Sequence, residues 1–526
     1  MTEPLLWLAL AGPLALLTLG LVPSTTANAA PAMMARWSRL AAIAALAGAV
    51  CVAAAVALAG PLHTAPQPIG FGLWADRLTA VMFVLVAFIG TIVVSYSRNY
   101  MDGDANHGRF TKWLCFTLAS VLILIVSGNM VQFALAWLAT SIGLNRLLLF
   151  YRGRPAAILA ARKKFIASRI SDLCLLGAMW LFYQAFGGLD YGTIFAGAAA
   201  LSGHAAPLGI TLACFLIVVA ALLKSAQFPL HGWLIEVMET PTPVSALLHA
   251  GIINAGGFLL LRFSDVLVLS APALDTLALV GGFTALFGSM VMLTQSSIKV
   301  SLAWSTIAQM GFMMLQCGLG AWSAALLHIV AHSCYKAHAF LSSGSVVDIA
   351  RASWSPSPGG APHPARMGIA LGVVLATALV ASSLFGATLN QQPGVFALGS
   401  IMLFGLTHLI AQSIDERPNL FVIGRTLALA VVVAVTYFGL QWGAAALMAG
   451  TLPGNAALRG PLTLVIVIMV VGAFANVTLL QSSLGRAGGS ARGRALYVHV
   501  SNGFYVNTIA NRLVLRLWPA RAPEAL

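Results

Sequence analysis

His328, His332 and Lys336 stand four residues apart in the stretch ALLHIVAHSCYKAHAFLSSGSVV. On a helix this i, i+4, i+8 spacing puts all three on one face, within about 80° of one another. Imidazole accepts and releases protons near neutral pH. A buried lysine ammonium can lose its proton, whereas an arginine guanidinium effectively cannot. Three such groups on one face make a file along which protons can step. Two other readings stay open: histidines hydrogen-bonded to neighbouring helices, and a zinc site from the HxxxH spacing. Zinc would lack an evident third ligand and would be repelled by Lys336.

A second group lies in LKSAQFPLHGWLIEVMETPTPVSALLHA, where Lys224, His231, Glu236, Glu239 and His249 surround Pro229, Pro241 and Pro243. The prolines break any continuous helix. A broken helix at membrane depth is tolerated only where it lines a cavity or is buried in protein, and such breaks mark transporter sites. A structural loop with salt-bridged charges is the other reading. The chain has six lysines, of which Lys224 ends one apolar stretch, Lys336 sits within another and Lys299 begins a third. Arg169 and Asp172 are spaced to pair on one helix face. Asp172 could also hold the charged form of Lys224 by lying beside it. Asp76, in LWADRLTA, reads as structural.

These groups need elements that carry them into an apolar interior, and the composition supplies them. Of 526 residues, 60% are hydrophobic and 8% charged, against roughly 25% charged in a soluble domain. A mean hydropathy of +0.92 agrees. A soluble enzyme is excluded. So is a disordered or collagen-like chain, because the 50 glycines lie in apolar runs without a period. The net charge of +14 gathers in short loops and forms no stripe, so nucleic-acid binding is not indicated.

Apolar stretches long enough to cross about 30 Å of hydrocarbon run near 4–22, 39–61, 74–95, 112–128, 129–151, 164–186, 207–224, 241–263, 276–294, 300–318, 322–348, 368–388, 395–413, 419–441 and 461–483. They are continuously apolar and not alternating, which favours helices over barrel strands. The expected fold is therefore an all-α polytopic membrane protein of about 15 transmembrane helices. Arg36, Arg39, Arg98, Arg109, Lys112, Arg152, Arg154, Arg162, Lys163, Arg351 and Arg366 then fall in loops on one side, with the basic tail. The opposite loops near 62–73, 187–206 and 389–394 hold no Lys or Arg. The positive-inside rule gives N-out and C-in. The N-terminus carries Glu3 and no basic n-region, so its first apolar run is expected to be a retained span.

The reading divides the chain into a transmembrane cation-conducting domain, 1–484, and a cytosolic basic tail, 485–526. Within the tail, Ser501 could cap a helix over Tyr497–Trp518, with Tyr505, Ile509, Leu513 and Leu517 at helical spacing. That helix would lie on the inner membrane face or dock a cytosolic partner, with Tyr497, His499, Phe504 and Tyr505 as candidate docking residues. Six cysteines in apolar stretches form no CxxC pair, so no disulfide framework or zinc cluster is indicated. No nucleophile elbow, Walker motif or Rossmann fingerprint occurs, and the chain reads as a non-enzyme without cofactor.

The stretches KKFIASRISD, LLKSAQFPLHGWLIEVMETPTPVSALLHA, IKVSLAWSTIAQMGFM and AALLHIVAHSCYKAHAFLSSGSV resemble the antiporter-type subunits shared by respiratory complex I and the multi-subunit sodium/proton antiporters. The resemblance covers roughly residues 70–350. It implies that Lys224, His249, Lys299, His332 and Lys336 belong to a proton relay across the membrane centre, which His328 would extend. Asp172, Glu236 and Glu239 would then be acids that tune or gate it. Two departures stand out. The family's fifth span carries a glutamate after its tryptophan, where this chain reads Trp137-Leu138-Ala139-Thr140-Ser141. The family's later discontinuous helix bears a further lysine or aspartate, where SSLFGATLNQQPG offers only Asn390 and Gln391.

With those departures, the absence of a long lateral helix and the tail YVHVSNGFYVNTIANRL, the chain is similar to the DabB family. These are membrane subunits of an inorganic-carbon accumulation complex in the bacterial cytoplasmic (inner) membrane. That resemblance implies a DabA partner, cytosolic and zinc-containing, similar to β-carbonic anhydrases. It also implies entry of protons or Na+ that drives one-way hydration of CO2 to bicarbonate. Two alternatives stay open: a subunit of a complex I-like or Mrp-type antiporter assembly, and a non-transporting membrane anchor for a soluble enzyme.

Overall fold

The computed structural model describes residues 3–64, 71–151, 153–237, 240–343, 364–407, 410–411, 420–454, 459–487 and 490–518. Glu239, Arg152, Arg351 and Arg521 lie outside the described residues. Almost all of the described chain is helical, and each apolar stretch read from the sequence carries a helix. Eleven described helices are long and apolar enough to cross a membrane, and three shorter apolar helices accompany them. The chain is a multi-pass membrane protein.

The described residues form two compact units. The first takes in Met1–Ala273, Ile329–Gly344 and Val506–Leu526. It opens with α1 (Glu3–Leu8), α2 (Ala11–Leu21), α3 (Ser24–Ala29) and α4 (Pro31–Ala59), then a short antiparallel pair, β1 (Leu62–His63) with β2 (Trp74–Ala75). There follow α5 (Arg77–Tyr100), α6 (His107–Val126), α7 (Met130–Leu148), α8 (Pro155–Phe186), α9 (Tyr191–Ala200) and α10 (Leu208–Lys224). After them come α11 (Gly232–Glu236), α12 (Thr242–Ala250), α13 (Ala255–Arg262) and α14 (Ser264–Leu267). Inside this unit α10 packs along α8, α4 along α5, α6 along α7, and α12 against α5.

The second unit takes in Leu274–His328 and Ser345–Tyr505. It is built from α15 (Ala271–Met292), α16 (Ile298–Gly318), the first turns of α17 (Trp322–Leu341), α18 (Pro364–Leu384), α19 (Pro393–Phe404), α20 (Leu420–Met448), α21 (Pro461–Ala487) and α22 (Ala491–Ser501). Its core joins small alanines such as Ala278 and Ala434 to Leu315, Phe404 and Phe438. Asp275 accepts hydrogen bonds from Arg459 at 3.0 Å and Thr463 at 3.0 Å, so this partly buried carboxylate is paired. The last described helix, α23 (Val506–Leu517), belongs to the first unit.

Three local features differ from the sequence reading, each for a physical reason. Pro155 occupies the first turn of α8, where its missing N–H costs nothing and its fixed φ favours helix. The helix therefore starts well before 164, and Arg162 and Lys163, read as loop residues, lie inside it. The stretch 241–263 is not one helix. Asn254 Nδ2 donates to Ala250 O at 3.1 Å while Asn254 N turns to Gly251 O, giving a 3-10 turn over Ile252–Asn254 between α12 and α13. Finally, Ser501 ends α22 and does not cap a helix, because Gly503, Phe504 and Tyr505 adopt positive φ and divide the tail into α22 and α23.

Candidate functional site

Lys224 is the last residue of α10, and the chain turns away immediately after it. Its side chain is buried and reaches α7, where Nζ donates to Ser141 Oγ at 2.9 Å, Trp137 O at 3.2 Å and Thr140 Oγ1 at 3.3 Å. The ammonium also lies 4.1 Å from the Trp137 ring centroid. All three acceptors are neutral. This is the WLATS stretch, in which Trp137, Thr140 and Ser141 supply lone pairs without a carboxylate.

A second buried lysine converges on the same place. Lys164 Nζ, on α8, donates to Ser141 O at 2.9 Å. Lys164 and Lys224 line one small cavity, together with Ser168, Trp233 and Ile253, with room for about one water molecule. Arg169 and Asp172 form the expected ion pair at 2.8 Å on α8, and Asp172 acts electrostatically on both lysines. Sequence reasoning missed Lys164. The scarcity of lysine that singled out Lys224, Lys299 and Lys336 applied to it equally, and the expected span 164–186 opens on it.

Its neighbour Lys163 faces elsewhere, as adjacent helical residues must. It pairs with Glu236 of α11 at 2.7 Å. Two asparagines of α23, one turn apart, close over that pair. Asn507 Oδ1 and Asn511 Oδ1 accept from Lys163 Nζ at 2.7 and 2.6 Å, while their Nδ2 groups donate to Glu236 Oε1 at 3.1 and 2.9 Å. Arg162 adds a bond to Trp518 O and lies 5.1 Å from the Trp518 ring. The tail helix is thus strapped to its own chain, beside the break that follows Lys224.

Within the first unit, His249 is fully buried in the last turn of α12 and stacks on Phe340 of α17 with ring centroids 4.5 Å apart. His332 and Lys336 are buried on α17 as well, and Lys336 lies close enough to act electrostatically on His249. Asn254 donates to Ser333 at 2.8 Å, tying the break between α12 and α13 to α17. His231 is buried after the end of α10 and stacks on Phe228. Asp76 caps α5 through Thr79 N and pairs with Arg262 at 2.5 Å, a structural role. Burial pushes the Asp76 carboxyl up, but the Arg262 guanidinium and the hydrogen bonds from Thr79 and Trp74 outweigh it and hold the carboxyl below its ordinary value.

Two expected relay residues fall in the second unit. His328 Nδ1 is 2.9 Å from Gln316 Oε1. Lys299 is only half-buried, in the first turn of α16. The candidate docking residues Tyr497 and Phe504 are exposed, and Tyr497 donates to Thr294 O at 3.3 Å within that unit. Among the described residues no group of three or more His, Cys, Asp or Glu side chains is placed to hold a metal ion.

The family model described as "NADH:quinone oxidoreductase/Mrp antiporter, TM" matches residues 127–353, and that of "NADH-Ubiquinone oxidoreductase (complex I), chain 5 N-terminus" matches 62–111. A "Probable inorganic carbon transporter subunit DabB2" of Halothiobacillus neapolitanus is 40% identical over 474 residues, covering 87% of this chain and 83% of the relative. The chain belongs to the DabB family. DabB of Hydrogenovibrio crunogenus is 39% identical, covering 86% of the chain and 85% of that relative. Beyond DabB, the chloroplastic NAD(P)H-quinone oxidoreductase subunit 5 of Lemna minor is 39% identical over 53% of the chain and 38% of its own length. Among solved structures, the Mrp complex from Dietzia sp. aligns with a TM-score of 0.54 at 25% identity, covering 97% of this chain and 57% of that one. An archaeal membrane-bound sulfane sulfur reductase aligns with a TM-score of 0.55 at 17% identity, covering 96% of this chain and 99% of that one, which bears on the fold alone. Both DabB relatives are named as probable inorganic carbon transporter subunits.

Proposed function

We propose that the chain conducts cations, protons in the first place, down their gradient to energise inorganic-carbon accumulation by a cytosolic, zinc-containing partner similar to carbonic anhydrases. The observation that carries this reading is the setting of Lys224. Its buried amine meets Ser141, Thr140 and Trp137 of α7 and lines a small cavity with a second buried lysine, an arrangement in which a proton can be exchanged between neighbouring groups. Lys224, His249, His332 and Lys336 are the relay residues in this reading, all on one compact unit. The chain sits N-out and C-in across the bacterial inner membrane, and the family name of its relatives supports the inorganic-carbon role. Protons are favoured over Na+ because sodium prefers several oxygen ligands around it, whereas this site is built around amines.

The test is growth in air of cells lacking carbonic anhydrase, rescued by this chain with its partner. Lys224→Ala or His332→Ala is expected to abolish rescue while leaving assembly with the partner intact. Full rescue by both variants would remove the relay and leave a membrane anchor.

A further inference from the structure

We propose that Lys164 and Lys224 form a proton-sharing pair, one proton held between two amines and passed across Ser141 and the small cavity that both line. This rests on the proton-conducting reading above and adds to it a residue and a step.

Both ammonium groups touch the same residue: Lys164 Nζ bonds Ser141 O and Lys224 Nζ bonds Ser141 Oγ, each at 2.9 Å. Each side chain is buried, with 4% and 6% of its residue surface exposed. Charge decides the rest. Arg169 is balanced by Asp172, the one described acid that acts electrostatically on both lysines. Two protonated lysines would therefore stand together in a low-dielectric site with no further carboxylate, among the described residues, acting on them. Neutralising one of them is the cheaper state, and interacting groups of this kind titrate as a pair.

A neutral amine beside an ammonium is a working relay. The N–H bond breaks on one nitrogen as a bond forms to the lone pair of the other, and no oxidant or further acid is needed. A water molecule in the cavity, donating to the neutral amine while accepting from the ammonium, balances the same transfer over a longer gap. The Ser141 hydroxyl accepts from Lys224 when that residue is charged, and can turn its own proton toward the lysine when it is neutral.

The experiment uses the full-length chain in proteoliposomes with its lysine side chains labelled with nitrogen-15, a tractable spectrum because the chain has only six lysines. Near neutral pH a Lys336→Gln background, which removes the other buried relay lysine, is expected to show a neutral-amine signal that disappears when either Lys164→Gln or Lys224→Gln is added, since the surviving partner keeps the proton. A signal that survives in either double variant, or is missing from the background, overturns the pair. Proton flux is read in the same vesicles with the partner present. Lys164→Gln and Lys164→Arg are each expected to lower it by about a hundredfold, as removal of a positioned proton donor does. Arginine can still donate to Ser141 O, so wild-type flux in Lys164→Arg would show that Lys164 is only a strut and would overturn the proposal. A wild type without proton flux, with the paired signal still present in the Lys336→Gln background, would sink the functional reading and leave the pair standing.

Discussion

Glu236 and Asn511 are joined by a 2.9 Å hydrogen bond although they are 275 residues apart in sequence. Through it the tail helix closes over the Lys163–Glu236 ion pair, next to the turn that ends α10 at Lys224. A charged pair at this depth stands only if its remaining donors and acceptors are satisfied. The two asparagines meet that condition because an amide offers both a donor and an acceptor.

Asn507→Ala combined with Asn511→Ala should therefore destabilise the chain by about 1–3 kcal/mol. The checks are thermal unfolding of the purified chain and the rate at which protease trims the tail. An unchanged midpoint together with an equally protected tail would show that the clamp holds nothing.

The Asp76–Arg262 pair calls for a double-mutant cycle. Removing either partner alone leaves a buried charge unopposed, at a cost of about 3–5 kcal/mol. Asp76→Leu with Arg262→Leu should cost less than either single change. The sign with pH follows from the lowered Asp76 carboxyl. Its stabilisation is complete above the ordinary value of 3.8 and disappears as pH falls through the folded value beneath it. Unfolding followed from neutral to acid pH should show Asp76→Leu losing its disadvantage only at that acid end.

Ser141→Ala removes the shortest acceptor from Lys224 and leaves Trp137 O at 3.2 Å and Thr140 Oγ1 at 3.3 Å. A lost charge-assisted bond is worth about 1.5–3 kcal/mol, so rescue of growth in air should weaken without vanishing, at unchanged protein level. Ser141→Thr keeps the hydroxyl and should restore most of it. Equal growth of Ser141→Ala and wild type would take Ser141 out of the site.

Gly256 lets α13 approach α10. A Cβ there would stand 2.3 Å from Ser225 Oγ and 2.6 Å from Ala221 O. Gly256→Ala should force the helices apart at a cost of about 1–3 kcal/mol and disturb Lys224, which directly precedes Ser225. Thermal unfolding and rescue should fall together. A variant that unfolds like wild type would mean the two helices have slack at this point.

The fold was legible because a membrane leaves little choice: long apolar runs must be helices with their backbone bonds made internally. Buried His249, His332 and Lys336 could be read because charge in such runs is rare, and Arg169 with Asp172 because their spacing sets one face. Lys164 was passed over at the edge of its expected span, an edge that the proline at the start of α8 moves well upstream. The clamp by Asn507 and Asn511 could not be read at all. Nothing in the order of residues says that one helix of the tail returns to the first unit, and neutral asparagines attract no notice in a search for charge.

Gly232 gives that return contact a narrow tolerance, since a Cβ on it would come within 2.0 Å of Asn507 Oδ1. Asn507 is also made 271 residues after Glu236. While the ribosome is still at work, the acid and its lysine have no asparagines to satisfy them. The nascent protein must wait for its tail before this corner is sealed, because the asparagines that complete the Lys163–Glu236 pair are made after both charged partners.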